Sequence, residues 1–575
     1  MKYTDILSLN KKLGHSLEHK EVYEVFVLSN ITVNQIKEVG EYTLRSNGIN
    51  AHFSFGDYDN IVQDSGKLLG ANAVIIFWEL ANVIDGLQYR IDLMSESDID
   101  SLIKKLELEI RLTLTNLDKH SLVLFNKFSA VTFDTDSINK SKLSIIADKL
   151  NVYLDQFKLP SLFTISINNV FSKKGVENLL ELRYFYSNKA LYNIEFFRCY
   201  MDYIYPFFNW VSGKSKKVIV LDCDNTLWNG VLGEEGLNGI QMSPATPKGA
   251  IFREVQSIIK GLYDRGTLIC ICSKNNFEDT HEVFEKHPDS IIRSEHISIN
   301  MSNWKDKASN LITIAEDLNI GLESFLFVDD SSFEVNLIKE TLSEVTVIQV
   351  PSKLENYPSL LKKNLGLFYN PSITVEDMKK SEMYKQQSLR EGHQHLYKNN
   401  EDYLKSLGLK ILPEVGNMGR LARLAQLTQK TNQFNLTTKR YSEQDLLNFL
   451  KNTKYLVANF SVTDKFGEYG VTGMAIVKLD SKVAFIDTFL ISCRVIGRNI
   501  EFKFFQFLLK KLSKKGITKI KAKFIPTRKN SQVSKFYEIL GFDLLSNSVE
   551  SVKEYELYLP SYKIKILDYI VEILD

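Results

Sequence analysis

The chain has 575 residues, 44% hydrophobic and 25% charged, enough for three or four domains with ordinary cores. Its 71 Lys+Arg balance 70 Asp+Glu, a formal net charge of +1, which speaks against a broad basic face for nucleic acid. With 28 Gly and 11 Pro, neither disorder nor a collagen-like repeat fits the composition.

Residues 1–212 alternate apolar runs with amphipathic stretches. Strands are expected at Val22–Leu28, Ala51–Phe55, Ala73–Phe77, Leu122–Phe125 and Leu162–Ile167, with helices such as Val33–Ser46 and Ser101–Leu114 between them. Strand-then-helix alternation predicts a parallel α/β sheet. A helix at Phe196–Trp210 leads out, and Gly213–Lys217 reads as a charged hinge. Residues 213–370 form a second α/β unit, with strands at Val218–Leu221, Leu268–Ile271 and Phe325–Val328 and helices at Lys248–Arg265 and Asp306–Leu318. Residues 371–411 are charged and read as a helical connector. Residues 412–575 predict an α+β domain. A short helix and three strands (Tyr455–Val462, Thr472–Leu479, Val483–Leu490) precede a helix at Arg498–Lys514 and a strand at Ile517–Phe524. A helix at Ser531–Leu540 and a strand near Tyr555–Leu559 follow.

The five cysteines (Cys199, Cys223, Cys270, Cys272 and Cys493) are odd in number and sparse, which is not a disulfide framework. Cys270 and Cys272 lack zinc-knuckle spacing. Met1–Leu13 is polar, and apolar runs such as Ala73–Trp78 fall far short of a membrane span. A cytoplasmic protein is expected.

The sharpest motif is Asp222-Cys-Asp224-Asn-Thr226-Leu-Trp228 after an apolar strand. Period-2 alternation sends both carboxylates to one face if the extended geometry continues, and the carboxyl end of a parallel strand is where such sheets bind ligands. One carboxylate can attack phosphorus and the other can move the proton. Ser273-Lys274-Asn275 ends a second strand with a hydroxyl and a cation. Lys305 and Lys307 open a helix, and Asp329-Asp330 ends a third strand. Converging carboxylates need a cation, and a hard oxygen site suits Mg²⁺. Trp228 is expected at the edge of the site and Cys223 in the core.

This arrangement resembles the haloacid-dehalogenase (HAD) superfamily, in a capless subclass, since no long insertion follows the first two motifs. The resemblance implies Asp222 as nucleophile and Asp224 as general acid/base. It implies Thr226, Ser273, Lys274, Asn275 and Lys307 as phosphate-binding residues, with Lys305 as rival for the lysine. It places Mg²⁺ among Asp222, Asp224 (through its backbone carbonyl), Asp329 and Asp330.

Two runs mark the last domain. Gln429–Thr438 is rich in amides and hydroxyls, as helix caps and turns are. Ser492-Cys493-Arg494-Val-Ile-Gly497-Arg498-Asn499 leads from a strand into a helix, a geometry that can receive an anion. It resembles the pyrophosphate loop of GNAT acyltransferases, with Asn499 where the motif has a small residue. Asn530 and Tyr537, before Gly541-Phe542, resemble that family's later motif. The resemblance implies acyl-carrier or CoA binding by Arg494, Gly497, Arg498, Asn530 and Tyr537.

Together, the stretches DCDNTLWNGVLGEEG, NWKDKASNL, FVDDSSFE, KTNQFNLTT, DKFGEYG and SCRVIGRNIE resemble FkbH-like proteins, a HAD-IIIC phosphatase fused to a GNAT-like domain. The resemblance implies removal of phosphate from a donor such as 1,3-bisphosphoglycerate. The glyceryl group would pass to the phosphopantetheine thiol of an acyl carrier protein, in polyketide or surface-polysaccharide biosynthesis. Cys493, beside Arg494, is the candidate thiol for an acyl way-station, against the reading of a buried small hydrophobe. The N-terminal domain is similar to flavodoxin-like and SGNH-hydrolase-like sheets. Ser29 could mimic an SGNH nucleophile, but no His occurs between His120 and His281, so a non-hydrolytic docking module is expected. The alternatives are a phosphatase with N-acyltransferase activity on a sugar or nucleotide-sugar, and a non-catalytic scaffold.

Overall fold

The computed structural model describes residues 2–68, 70–134, 140–371, 397, 399–527, 529–547, 552–562 and 567–573. The chain divides into two compact units, 1–211 with 441–448, and 212–440 with 449–575.

In the first unit, β1 (Tyr23–Ser29), β2 (Ala51–Phe55), β3 (Ala73–Phe77), β4 (Leu122–Asn126) and β5 (Leu162–Ile165) form a parallel sheet in the order β2-β1-β3-β4-β5. This is the flavodoxin-like order. β3 and β4 are buried at every position, so both read as apolar runs without alternation, as strands covered on two faces must. The helices Ile36–Ser46, Glu96–Asn116 and Ile194–Val211 lie where the apolar periodicity predicts them. β5 stops two residues before its expected end because a helix starts at Ile167.

The second unit holds two sheets. β6 (Val218–Leu221), β7 (Leu268–Ser273), β8 (Ile297–Ser302), β9 (Phe325–Asp329) and β10 (Thr346–Gln349) are all parallel, in the order β10-β9-β6-β7-β8. The order reverses at β6, so the crevice beyond its carboxyl end is the topological switch point.

The third sheet contains β11 (Lys410–Val415), β12 (Phe434–Asn435), β13 (Tyr455–Asp464), β14 (Gly467–Asp480), β15 (Val483–Ile491), β16 (Lys519–Phe524), β17 (Asp543–Asn547), β18 (Lys553–Tyr558) and β19 (Val571–Glu572). Its main path runs β17-β18-β16-β15-β14-β13-β11-β19, and β12 pairs with β15 beside it. β15 and β16 are parallel partners only from Val483↔Lys519 to Ile486↔Ala522, and then they part. The helix Ile500–Lys514 covers this sheet through Phe504, Phe505 and Leu508.

The structure corrects the expected connector 371–411. Its residues 372–396 and 398 lie outside the described residues, but Asn400–Ser406 is helical and Lys410–Val415 is a strand of the third sheet. Pro413 concealed that strand in the sequence; its missing N–H demotes a run that pairing with β13 restores. The expected helix Ser531–Leu540 is a 3-10 turn at Ser531–Val533 and one helical turn at Phe536–Ile539. No helix among the described residues is long and apolar enough to cross a membrane.

Candidate functional site

The carboxyl ends of β6, β7 and β9 converge because the three strands are parallel neighbours. The Asp222 amide donates to Val328 O at 3.0 Å, and the chain then turns as Thr226 and Leu227 donate back to Cys223 O. Asn225 takes a left-handed φ of 52° in this turn, and its Oδ1 accepts from Gly230 N at 3.1 Å. Asp222, Asp329 and Asp330 each bring a carboxylate oxygen within 4.8 Å of the others.

Lys307 compensates this charge. Its Nζ lies 3.0 Å from Asp222 Oδ1 and 2.6 Å from Asp329 Oδ2, and the side chain is buried. Burial alone works against its charge, but Asp222 and Asp329 outweigh that and hold it protonated above the usual lysine range. Burial and the Asp222 carboxylate push Asp329 up to about 6, and Asp330 is raised by the same two causes. One lysine among three carboxylates leaves an excess of negative charge in a hard oxygen cluster. The donor set therefore fits Mg²⁺.

Lys305 and Lys307 are separated by a helix cap. Asp306 Oδ1 accepts from Ser309 N at 2.8 Å, so the helix Lys307–Leu318 begins at Lys307 and turns it inward, while Lys305 stays exposed. Ser273 is buried at the end of β7. Asn275 Nδ2 donates to Asp224 Oδ2 at 2.9 Å and to Ser273 Oγ at 3.1 Å.

Several expected roles are corrected, though not that of Asp224, whose expected ligand is its backbone carbonyl: the Asp224 carboxylate is outside the three-carboxylate cluster. Its Oδ1 accepts from Trp228 Nε1 at 2.9 Å and from Leu232 N at 3.0 Å, which leaves only its backbone carbonyl for an ion. Trp228 is fully buried beneath the turn, against Phe284, and does not form an edge. Thr226 is buried, and its Oγ1 finds no hydrogen-bond partner among the described residues. Lys274 is exposed and pairs with Glu334 Oε1 at 2.6 Å. Sequence reasoning missed Glu334, although the FVDDSSFE run places it four residues after Asp330. Phe277, Trp304 and Phe333 are exposed aromatics just after β7, β8 and β9, and Trp304 Nε1 donates to Asn276 Oδ1 at 3.0 Å.

The residues proposed for acyl-carrier or CoA binding do not share a site. Arg494 and Cys493 line a cleft, and Cys493 is partly exposed. Gly497 and Asn499 adopt left-handed φ of 82° and 62°, so the loop needs these residue types, and the helix starts at Ile500, two residues later than expected. Asn499 Nδ2 donates to Tyr569 Oη at 2.7 Å. Arg498 is buried, lies 5.0 Å over the Tyr469 ring and donates to Arg494 O. Asn530 is fully buried: its Nδ2 donates to Asn435 O and Ile525 O, both at 2.9 Å, and its Oδ1 accepts from Thr527 N at 2.7 Å. Tyr537 is sealed among Phe536, Phe542 and Tyr555, and burial holds its hydroxyl protonated above the usual range.

The opening where β15 and β16 part is filled by the chain itself. Phe434 and Asn435 pair with Ile491 and Leu490, Leu436 N donates to Phe489 O, and Ile525 N donates to Leu436 O. An extended cofactor arm would have to displace this strand, so these residues do not fit CoA. In the first unit, Ser29 Oγ donates to Ile31 O at 2.6 Å and accepts from Ile31 N at 3.0 Å, which closes that hydroxyl into a local turn.

No family model and no curated protein matches the chain. Among solved structures, it is similar to the N-terminal part of a Bacteroides fragilis protein that contains a phosphatase domain and was crystallised with Mg. The identity is 24% and the TM-score 0.56, over 65% of this chain and 100% of that one. It is also similar to the ribosomal-protein-S18-alanine N-acetyltransferase of Escherichia coli, with 16% identity and a TM-score of 0.21, over 26% of this chain and 94% of that one. A third is the PaiA N-acetyltransferase of Thermoplasma acidophilum in complex with coenzyme A, with 18% identity and a TM-score of 0.21, over 25% of this chain and 98% of that one. The first likeness is one of fold.

Proposed function

We propose that the protein is a Mg²⁺-dependent HAD-type phosphatase or phosphotransferase coupled to acyl transfer, of the FkbH-like kind. The observation that carries this reading is the group Asp222, Asp329 and Asp330, held around Lys307 beside Ser273 at the switch point of a parallel sheet. Asp222 attacks phosphorus: its Oδ–P bond forms as the bond from phosphorus to the leaving oxygen breaks. Asp224 gives that oxygen a proton and later takes one from water, which hydrolyses the aspartyl-phosphate. The hydrogen bonds from Trp228, Leu232 and Asn275 orient Asp224 for this work. Ser273 and Lys307 hold phosphate oxygens. Asp222, Asp329, Asp330 and the Asp224 carbonyl would hold Mg²⁺, which neutralises charge on the phosphoryl group.

The substrate is a phosphorylated three-carbon acyl donor such as 1,3-bisphosphoglycerate: its C3 phosphoester is the bond cleaved at Asp222, while its acyl phosphate keeps the carbonyl activated and leaves as phosphate when a thiol attacks. The acceptor is the phosphopantetheine thiol of an acyl carrier protein, with Cys493 as way-station, in cytoplasmic polyketide or surface-polysaccharide biosynthesis. Residues 1–212 act as a non-hydrolytic docking module, 213–370 as the phosphatase, and the domain from about residue 399 as the acyl-handling part. The sealed Tyr537 and saturated Asn530 weigh against the rival, a CoA-dependent N-acyltransferase.

The test is Mg²⁺-dependent phosphate release from 1,3-bisphosphoglycerate, with and without carrier protein, beside Asp222→Asn. Release together with a glyceryl mass on the carrier supports the reading. Release without a mass shift leaves a plain phosphatase. Absence of release from any acyl phosphate or phosphomonoester refutes both and favours a scaffold.

A further inference from the structure

Asp222 follows β6, which has β7 on one side and β9 on the other. Neighbouring strands lie about 4.8 Å apart, so the ends of β7 and β9 are roughly 10 Å from each other. One ion pair spans that gap. Lys274, the first residue after β7, places Nζ 2.6 Å from Oε1 of Glu334, on the helix Ser332–Thr341 that follows β9. The pair therefore crosses above the end of β6, on the side where the carboxylates stand.

Both ends of this bridge are tied to the site. On the β9 side, Ser331 N donates to Asp329 Oδ1 at 2.9 Å, and Ser331 Oγ accepts from Glu334 N at 3.5 Å, which caps the helix. On the β7 side, Lys274 lies between Ser273 and Asn275, and Asn275 Nδ2 donates to Ser273 Oγ and to Asp224 Oδ2. A continuous chain of contacts thus runs from Asp329 through Glu334 and Lys274 to Asp224.

The two partners differ in freedom. The Glu334 side chain is 6% exposed and the Lys274 side chain 43%. Glu334 Oε2 is buried with no hydrogen-bond partner among the described residues, so Lys274 is the group that meets its charge. A buried carboxylate on a capped helix holds one position, whereas an exposed lysine samples many rotamers unless something fixes it. The rigid partner therefore sets the place of the mobile one. An ammonium carries three donors and Glu334 Oε1 takes one, so two remain for an anion.

We propose that Glu334 is a positioning residue of the phosphatase centre, which aims the Lys274 ammonium over the mouth of the site so that its remaining donors meet the outer oxygens of a phosphoryl group. The resemblance implies the lysine as a phosphate ligand; the buried carboxylate that aims it is added by the structure. This rests on the phosphatase reading. It also divides the cations: Lys307 is buried between Asp222 and Asp329, and Lys274 reaches the ligand from the solvent side.

The experiment is calorimetric titration of the full chain with inorganic phosphate in the presence of Mg²⁺, together with KM and kcat for p-nitrophenyl phosphate. Glu334→Gln keeps the shape and removes the charge. It is expected to weaken phosphate binding and raise KM about tenfold, the worth of one hydrogen bond to a charged group, with a smaller change in kcat. Lys274→Arg should keep most of the affinity. In a Lys274→Met background Glu334→Gln should change nothing further, since the carboxylate then has no lysine to aim. Wild-type affinity and KM in Glu334→Gln overturn the proposal, as do effects of the two single variants that multiply in the double variant. Where a single variant fails to fold, the double variant decides, because it leaves no unpaired buried charge: wild-type affinity in it overturns the proposal. So does the absence of phosphate binding by wild type. The expected coupling without phosphate release from p-nitrophenyl phosphate or 1,3-bisphosphoglycerate refutes the phosphatase reading and leaves the Glu334–Lys274 pair standing as an anion site.

Discussion

Lys307→Met tests whether the carboxylate cluster is built around an internal cation. The wild-type ammonium lies 3.0 Å from Asp222 Oδ1 and 2.6 Å from Asp329 Oδ2, with Asp330 in the same group. Removing one partner of a buried ion pair leaves charge uncompensated and costs about 3–5 kcal/mol. At 1.36 kcal/mol per decade, local opening of β6, β7 and β9 should become roughly two to four decades more frequent. Mg²⁺ supplies a replacement cation, and at 100 times its dissociation constant it returns about 2.7 kcal/mol. The assay is hydrogen exchange of peptides from those three strands, in chelator and in excess Mg²⁺, for wild type and variant. Exchange should accelerate in chelator and slow again with Mg²⁺, by more decades in the variant than in wild type. Equal exchange of the two proteins in chelator refutes the argument, as does a loss that Mg²⁺ leaves untouched.

Three other outcomes are expected. Trp228→Phe removes the indole donor to Asp224 Oδ1 while keeping an aromatic against Phe284. A hydrogen bond to a charged group is worth about 1.5–3 kcal/mol, so kcat for Mg²⁺-dependent phosphate release should fall about tenfold or more; an unchanged kcat removes Trp228 from the mechanism. Glu79 is buried and accepts from Tyr192 Oη at 3.0 Å, and burial pushes it from 4.5 up to about 7. The folded state then keeps a proton that the unfolded state releases, so stability is full below pH 4.5 and declines up to pH 7, by about 3 kcal/mol. Glu79→Gln should flatten that decline, read from exchange of the β3 peptide after correction for intrinsic pH dependence. Asn530→Ala removes two donors and one acceptor in a fully buried bridge, which should cost about 2–4 kcal/mol and lower the melting temperature, while calorimetric titration of wild type with CoA should show no binding.

Much of the fold is legible because it is local. β3 and β6 are short apolar runs, and such runs between amphipathic helices give parallel sheets whatever surrounds them. The carboxylates Asp222, Asp329 and Asp330 are legible for the same reason: each ends such a run, and a strand end has one address in a parallel sheet. The other assignments depended on packing between distant segments. Lys305 and Lys307 look equivalent in Trp-Lys-Asp-Lys until the Asp306 cap sets the first residue of the helix. Asn530 and Tyr537 match a short motif, but a motif does not say which way a side chain faces. Phe434–Leu436, nearly a hundred residues upstream, fills the gap into which they would open. Lys217 reads as part of a hinge, and its ammonium finds Lys430 O as an acceptor only because the amino-terminal edge of one sheet packs against a segment of the third-sheet domain more than two hundred residues away. Side-chain period and strand-end chemistry are therefore determined by the sequence itself, while the partner of each buried charge is decided by the tertiary structure, because partners meet through space and leave no mark in local spacing.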